Sequence, residues 1–80
     1  MWMSNILILV DRNNADRNEI REIAAAVVDT GGVVEEVNEE RYLIEAAVPA
    51  HNVAVISAME GVSYVRVVFS YFCPPVLQAA

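Results

Sequence analysis

Cysteine occurs once in these 80 residues, at Cys73, so no internal disulfide can form and no set of thiolates can hold a metal. Lysine does not occur at all. Five arginines (Arg12, Arg17, Arg21, Arg41 and Arg66) stand against eleven acidic residues, a net charge of -6. The arginines are scattered, whereas phosphate neutralisation needs clustered cations, so no nucleic-acid partner is expected. Histidine occurs once, at His51. Apolar runs are short: the longest near the start is Ile6 to Val10, far below the length of a membrane span. No basic region or small-residue cleavage site frames that run as a signal peptide. A cytoplasmic protein with no membrane partner is expected. There is no phosphate-cradling glycine loop, no His-Glu-x-x-His and no Asp/Asn calcium loop, so neither metal nor cofactor is expected.

What is present is apolar. The hydrophobic fraction is 56%, above the usual range for a soluble domain, which leaves apolar surface for a partner. The length suits one domain with a modest core. Asn5 to Val10 reads as a strand buried on both sides. Asp11 to Asn14 is a polar connector, and Asp16 with Glu19 forms a capping box. Ile20, Ile23, Ala24 and Val27 then follow helical spacing until Gly31-Gly32, the first glycine in the left-handed position after the helix. Val33 to Asn38 and Arg41 to Val48 read as a hairpin around Asn38-Glu39-Glu40, with Tyr42, Ile44, Ala46 and Val48 on one face. Pro49 ends that strand and opens a second helix, Ala50 to Glu60, with Val53, Ile56 and Met59 inward and Gly61 closing it.

The last strand, Gly61 to Phe72, is long and free of Pro, Asn and Asp. Strict alternation points Val65, Val67, Phe69 and Tyr71 toward a core, and Tyr64, Arg66, Val68, Ser70 and Phe72 outward. The order strand, helix, strand, strand, helix, strand is the ferredoxin-like arrangement, an α+β fold in one domain over 1–80, with about 70–80 as a C-terminal tail. Right-handed crossovers place both helices on one face of a four-stranded antiparallel sheet, with strands one and three central and strands two and four at the edges.

No constellation of catalytic groups stands out. His51 is of the residue type most used for general base work, yet its spacing to Ser57, Ser63, Ser70, Asp11 or Asp29 marks no triad, and a solvated helix-start residue explains it. A non-enzymatic protein is expected. Glu35, Glu36, Glu39 and Glu40 crowd the hairpin, with Glu45 near; strand alternation sets Glu35 and Glu36 on opposite faces, so they do not bind one ion together. The projecting Glu39 and Glu40 suit the positive N-termini of a partner's helices, or a solvated edge that resists aggregation. The open sheet face is expected to carry Leu43, Tyr64, Val68 and Phe72 with one set of the first strand (Leu7 and Leu9, or Ile6 and Ile8), framed by Arg41, Arg66 and Glu45. Aromatic and Arg anchors of this kind mark a protein interface. A homodimer through the last strand or the open face is one way to fill it.

Three segments carry a resemblance: Gly31-Gly32-Val33-Val34, then Tyr42 through Val48-Pro49, then Ile56 to Gly61-Val62-Ser63-Tyr64-Val65. In this order they resemble the subtilisin propeptide and the free-standing propeptide-like inhibitors of subtilisin-type proteases, over about half of the chain. The resemblance implies a ferredoxin-like domain whose open sheet face packs on two surface helices of the protease. Acidic residues near the hairpin would cap those helices, here Glu36, Glu39 and Glu40. The C-terminal tail would enter the active-site cleft like a product, here Ser70, Tyr71, Phe72 and Cys73. The family continues Tyr-Val with acidic residues where this chain has Arg66-Val67-Val68, and Pro74-Pro75 follows the tail. ACT-like regulatory domains share the element order. That similarity implies a small-ligand site at the first strand–helix connection, Asp11-Arg12-Asn13-Asn14, which lacks the family's glycine. A homo-oligomeric adaptor is a further alternative.

Overall fold

The computed structural model describes residues 1–13 and 17–74. The chain runs β1 (Trp2–Val10), α1 (Arg17–Asp29), β2 (Val33–Asn38), β3 (Leu43–Pro49), a 3-10 turn (Ala50–Asn52), α2 (Val53–Ser57) and β4 (Val62–Phe72). The four strands form one antiparallel sheet in the order β2-β3-β1-β4. This is the expected ferredoxin-like fold, with β1 and β3 central.

The pairing of β1 with β3 is regular from Met3–Pro49 to Leu9–Leu43, so their even-numbered side chains share one face. On that face Ile6, Ile8, Val10, Ile44, Ala46 and Val48 are buried. Ile20, Ile23 and Val27 of α1 and Ile56 of α2 complete the same cluster, which places both helices on one side. The alternating strands and the i, i+3, i+7 helix positions therefore meet as their periodicities require.

The end of α1 takes the expected form. Gly31 has φ +90°. Its N–H donates to the Val28 carbonyl (3.0 Å) and the Gly32 N–H to the Val27 carbonyl (3.1 Å). These are the two bonds of a Schellman motif, and they satisfy carbonyls that the helix leaves open. The capping-box residue Asp16 lies outside the described residues.

Three boundaries differ from the sequence reading. The hairpin turn extends over Glu39 to Tyr42, so β3 begins at Leu43 rather than Arg41, and Tyr42 is left-handed (φ 56°) instead of lying in the strand. The Asn38 side chain accepts the Arg41 N–H (3.1 Å), the Tyr42 carbonyl oxygen accepts the Val10 N–H (2.9 Å), and the Arg12 guanidinium lies 5.7 Å from the Tyr42 ring. These contacts hold the unusual backbone. The second helix is one 3-10 turn and five α residues, not eleven. Its β-branched Val53, Val55 and Ile56 are weak helix formers, and only Ile56 is fully buried. Finally, Ser70 to Phe72 belong to β4, and the Cys73 N–H still bonds the Met1 carbonyl (2.7 Å), so any tail starts later than residue 70.

Candidate functional site

β4 is held on one side by β1 and, among the described residues, presents its other edge without a neighbouring strand. The pairing slips twice. Leu9 faces Tyr64 while Val10 faces Val62, and Ile6 faces Val67 while Asn5 faces Phe69. Ser63 and Val68 are the extra residues, each making a β-bulge. Because paired residues share a face, the second bulge reverses the alternation. Tyr64, Arg66, Phe69 and Tyr71 pair with Leu9, Leu7, Asn5 and Met3, on the open face. Val65, Val67, Ser70 and Phe72 pair with Ile8, Ile6, Ser4 and Trp2, on the helix face. The side-chain contacts agree. The Ser4 and Ser70 hydroxyls lie 2.9 Å apart, Trp2 meets Phe72 edge-on at 5.7 Å, and Phe69 and Tyr71 rings lie 5.8 Å apart.

Strict alternation thus fails in the second half of the strand. Phe69 and Tyr71 do not point to the core, and Ser70 and Phe72 do not lie on the open face. Nor is the inward set buried: Val67 is 45% exposed and Phe69 54%. The short α2 covers only the start of the strand, so from Arg66 onward every described residue of β4 is exposed.

On the open face the set from β1 is Leu7 and Leu9, since Ile6 and Ile8 are in the core. Leu7 and Leu43 are half-buried, Leu9 and Tyr64 exposed, and Glu45 sits half-buried among them. The face therefore carries Leu43, Leu7, Leu9, Tyr64, Phe69 and Tyr71, with Glu45, Asn5 and the exposed Arg66 among them. The sequence reading missed Phe69, Leu9 being only one of two options, and gave no role to Trp2, which is 58% exposed beside Phe72.

The hairpin carboxylates also follow a bulge. Val34 pairs with Ala46 and Glu36 with Glu45, leaving Glu35 as the extra residue. Glu36 therefore shares the open face with Glu45. Glu35 reaches the same face, where its carboxylate accepts a hydrogen bond from the Asn5 amide (3.4 Å). The expected split of Glu35 and Glu36 between faces is corrected: one inserted residue cancels the alternation. Glu39 pairs with Arg21 at 2.9 Å, while Glu36 and Glu40 are exposed. A shallow groove beside them is lined by Arg21, Ala24, Val37 and Asn38.

A cleft of about 680 Å³ lies where β1 leads toward α1. Its lining includes Asp11, Glu19, Glu22 and Glu60, with Ile23 and Met59. His51 is exposed on the 3-10 turn, and Cys73 is exposed and free. Among the described residues no three His, Cys, Asp or Glu side chains could hold a metal ion, and no helix is long and apolar enough to cross a membrane. Compared with protein-family models, curated proteins and solved structures, the chain matches none.

Proposed function

We propose that this chain is a non-enzymatic protein-binding module, cytoplasmic, whose docking surface is the open sheet face together with β4. β4 carries the reading. Among the described residues, Tyr64, Val67, Val68, Phe69, Tyr71 and Phe72 are six of the thirteen exposed large hydrophobic residues, and they fall on eleven consecutive residues that also offer an edge without a described neighbour. Exposed apolar side chains concentrated in this way mark an interaction site, and a free strand edge adds backbone donors and acceptors.

The sharper form of the proposal is a propeptide-like inhibitor or folding partner of a subtilisin-type protease. The open face would lie on the protease's surface helices, with the exposed Glu36 and Glu40 toward their positive N-termini. Glu39 would join them by leaving Arg21. Ser70 to Cys73, being paired to β1, would reach a cleft only if the end of the strand detached. The ACT-like alternative would use the cleft at Asp11, whose carboxylate-rich lining suits the ammonium end of an amino acid better than its carboxylate. The test is titration of a subtilisin with the purified chain. Stoichiometric inhibition or a complex on gel filtration supports the protease form. No inhibition and no complex overturns it.

A further inference from the structure

The sheet has two edges, and they are built differently. The β2 edge has the bulged pair Glu35 and Glu36 and leads into Glu39 and Glu40. Both outer strands are bulged, so what sets the β2 edge apart is its cluster of carboxylates, a usual protection of an edge. β4 is nearly twice as long and holds one charge, Arg66. All eleven acidic residues precede Gly61, so the negative charge lies on the rest of the chain.

The bulge gives β4 a second property. Tyr64 and Tyr71 stand equally far along the chain from the Val67–Val68 peptide, and so do Arg66 and Phe69. In an unbroken strand the members of each couple would lie on opposite faces. With Val68 inserted, all four lie on the open face. A strand with this pattern is complementary to itself about a two-fold axis.

We infer that a second copy of this chain occupies the β4 edge, the two strands running antiparallel with Val67 of one beside Val68 of the other. The inference rests on the reading of β4 as a docking edge and names its occupant. In this register Tyr64 lies beside Tyr71 of the second copy, and Arg66 beside Phe69 of the second copy. Symmetry repeats both contacts, giving two aromatic pairs and two guanidinium–ring pairs on one face. On the other face Val65 lies beside Ser70 of the second copy. No acidic group meets another, because β4 has none. The two sheets become one of eight strands, and both open faces stay available to a further partner.

Sedimentation equilibrium of the full chain, up to the millimolar range, reads the association directly. A concentration-dependent dimer is expected, and Arg66→Glu, exposed and so compatible with folding, should weaken it at least tenfold. The register is read by cysteine pairing in a Cys73→Ser background. Mixed Tyr64→Cys and Tyr71→Cys chains should form a disulfide dimer on mild oxidation, since directly paired residues are within disulfide reach. Neither variant alone should, because like residues would sit roughly 23 Å apart at about 3.3 Å per residue. A chain monomeric throughout overturns the second copy as occupant, while the docking surface is judged separately by the protease titration. A dimer that cross-links equally well from either variant alone, or not at all from the mixture, overturns the register.

Discussion

Replacing Ile56 by alanine tests how α2 is held. Ile56 is the one fully buried side chain of that helix, and it packs into the cluster formed by Ile6, Ile8 and Ile44. Five α residues and one 3-10 turn are far too few to form a helix independently, so α2 exists because it is docked. Ile→Ala at such a site costs about 2–5 kcal/mol through lost burial and a residual cavity. Domains hold about 0.05–0.15 kcal/mol per residue, so a chain of 80 residues has about 4–12 kcal/mol in all. A loss of about 3 kcal/mol would lower Tm by about 12–24 °C at this size. Ile56→Val, which keeps most of the contact, should cost only about 0.5–1.5 kcal/mol. Thermal and urea unfolding followed by circular dichroism measures both. A Tm fall below about 4 °C for the alanine variant would mean that α2 is not anchored through Ile56, and the packing argument would be wrong.

Gly32→Ala should destabilise by about 1–3 kcal/mol, because a Cβ there would lie 2.7 Å from a methyl of Val48 and 3.0 Å from the Val27 carbonyl oxygen; unfolding within about 0.5 kcal/mol of the parent would contradict that close approach. Glu39→Gln with Glu40→Gln should change stability by only a few tenths of a kcal/mol, since the Arg21–Glu39 pair is largely solvent-screened. The same double variant should weaken a protease complex if one forms, and an unchanged inhibition constant would remove these carboxylates from the interface.

Much of the fold was legible because its signals are local or periodic. Ile6, Ile8 and Val10, and Ile44, Ala46 and Val48, sit in strands that pair without a slip, so period-two reasoning puts them in the core correctly. Ile20, Ile23 and Val27 follow the helix period, and Gly31 supplies a conformation that other residues resist. The proposed docking surface was legible only in its first half. Tyr64 and Arg66 precede the bulge and keep their expected face, whereas Phe69, Ser70, Tyr71 and Phe72 follow it and exchange faces. A bulge is a relation between two strands. Val67 and Val68 are identical side chains, so nothing within β4 marks where the phase breaks. The same holds for Glu35 and Glu36 against Glu45. In both places the repeated residue hides the insertion, and the partner strand decides it. The end of α2 was misplaced for another reason: Gly61 was read as the helix stop, but the chain leaves the helix at Ser57 and uses the left-handed Gly61 (φ +88°) to enter β4.

The contrast between the edges also bears on how far association goes. A two-fold pairing of β4 strands is isologous and closes on itself, so it uses up both apolar edges in one step. The edges left outside are the two β2 strands. A third molecule could extend the sheet only along β2, whose Glu35 and Glu36 sit at a bulge with Glu39 and Glu40 just beyond. Antiparallel pairing of two such edges would bring carboxylates side by side, which opposes it. The largest species of the parent chain should therefore be a dimer at any concentration. Glu35→Thr with Glu36→Thr removes the charges at the bulge, and it sacrifices only the long Asn5–Glu35 hydrogen bond at 3.4 Å. That variant should form species larger than a dimer, seen by light scattering at low ionic strength, where the parent's repulsion is least screened. Growth of the parent beyond a dimer, or a variant that stops where the parent does, would show that these carboxylates are not what guards the β2 edge.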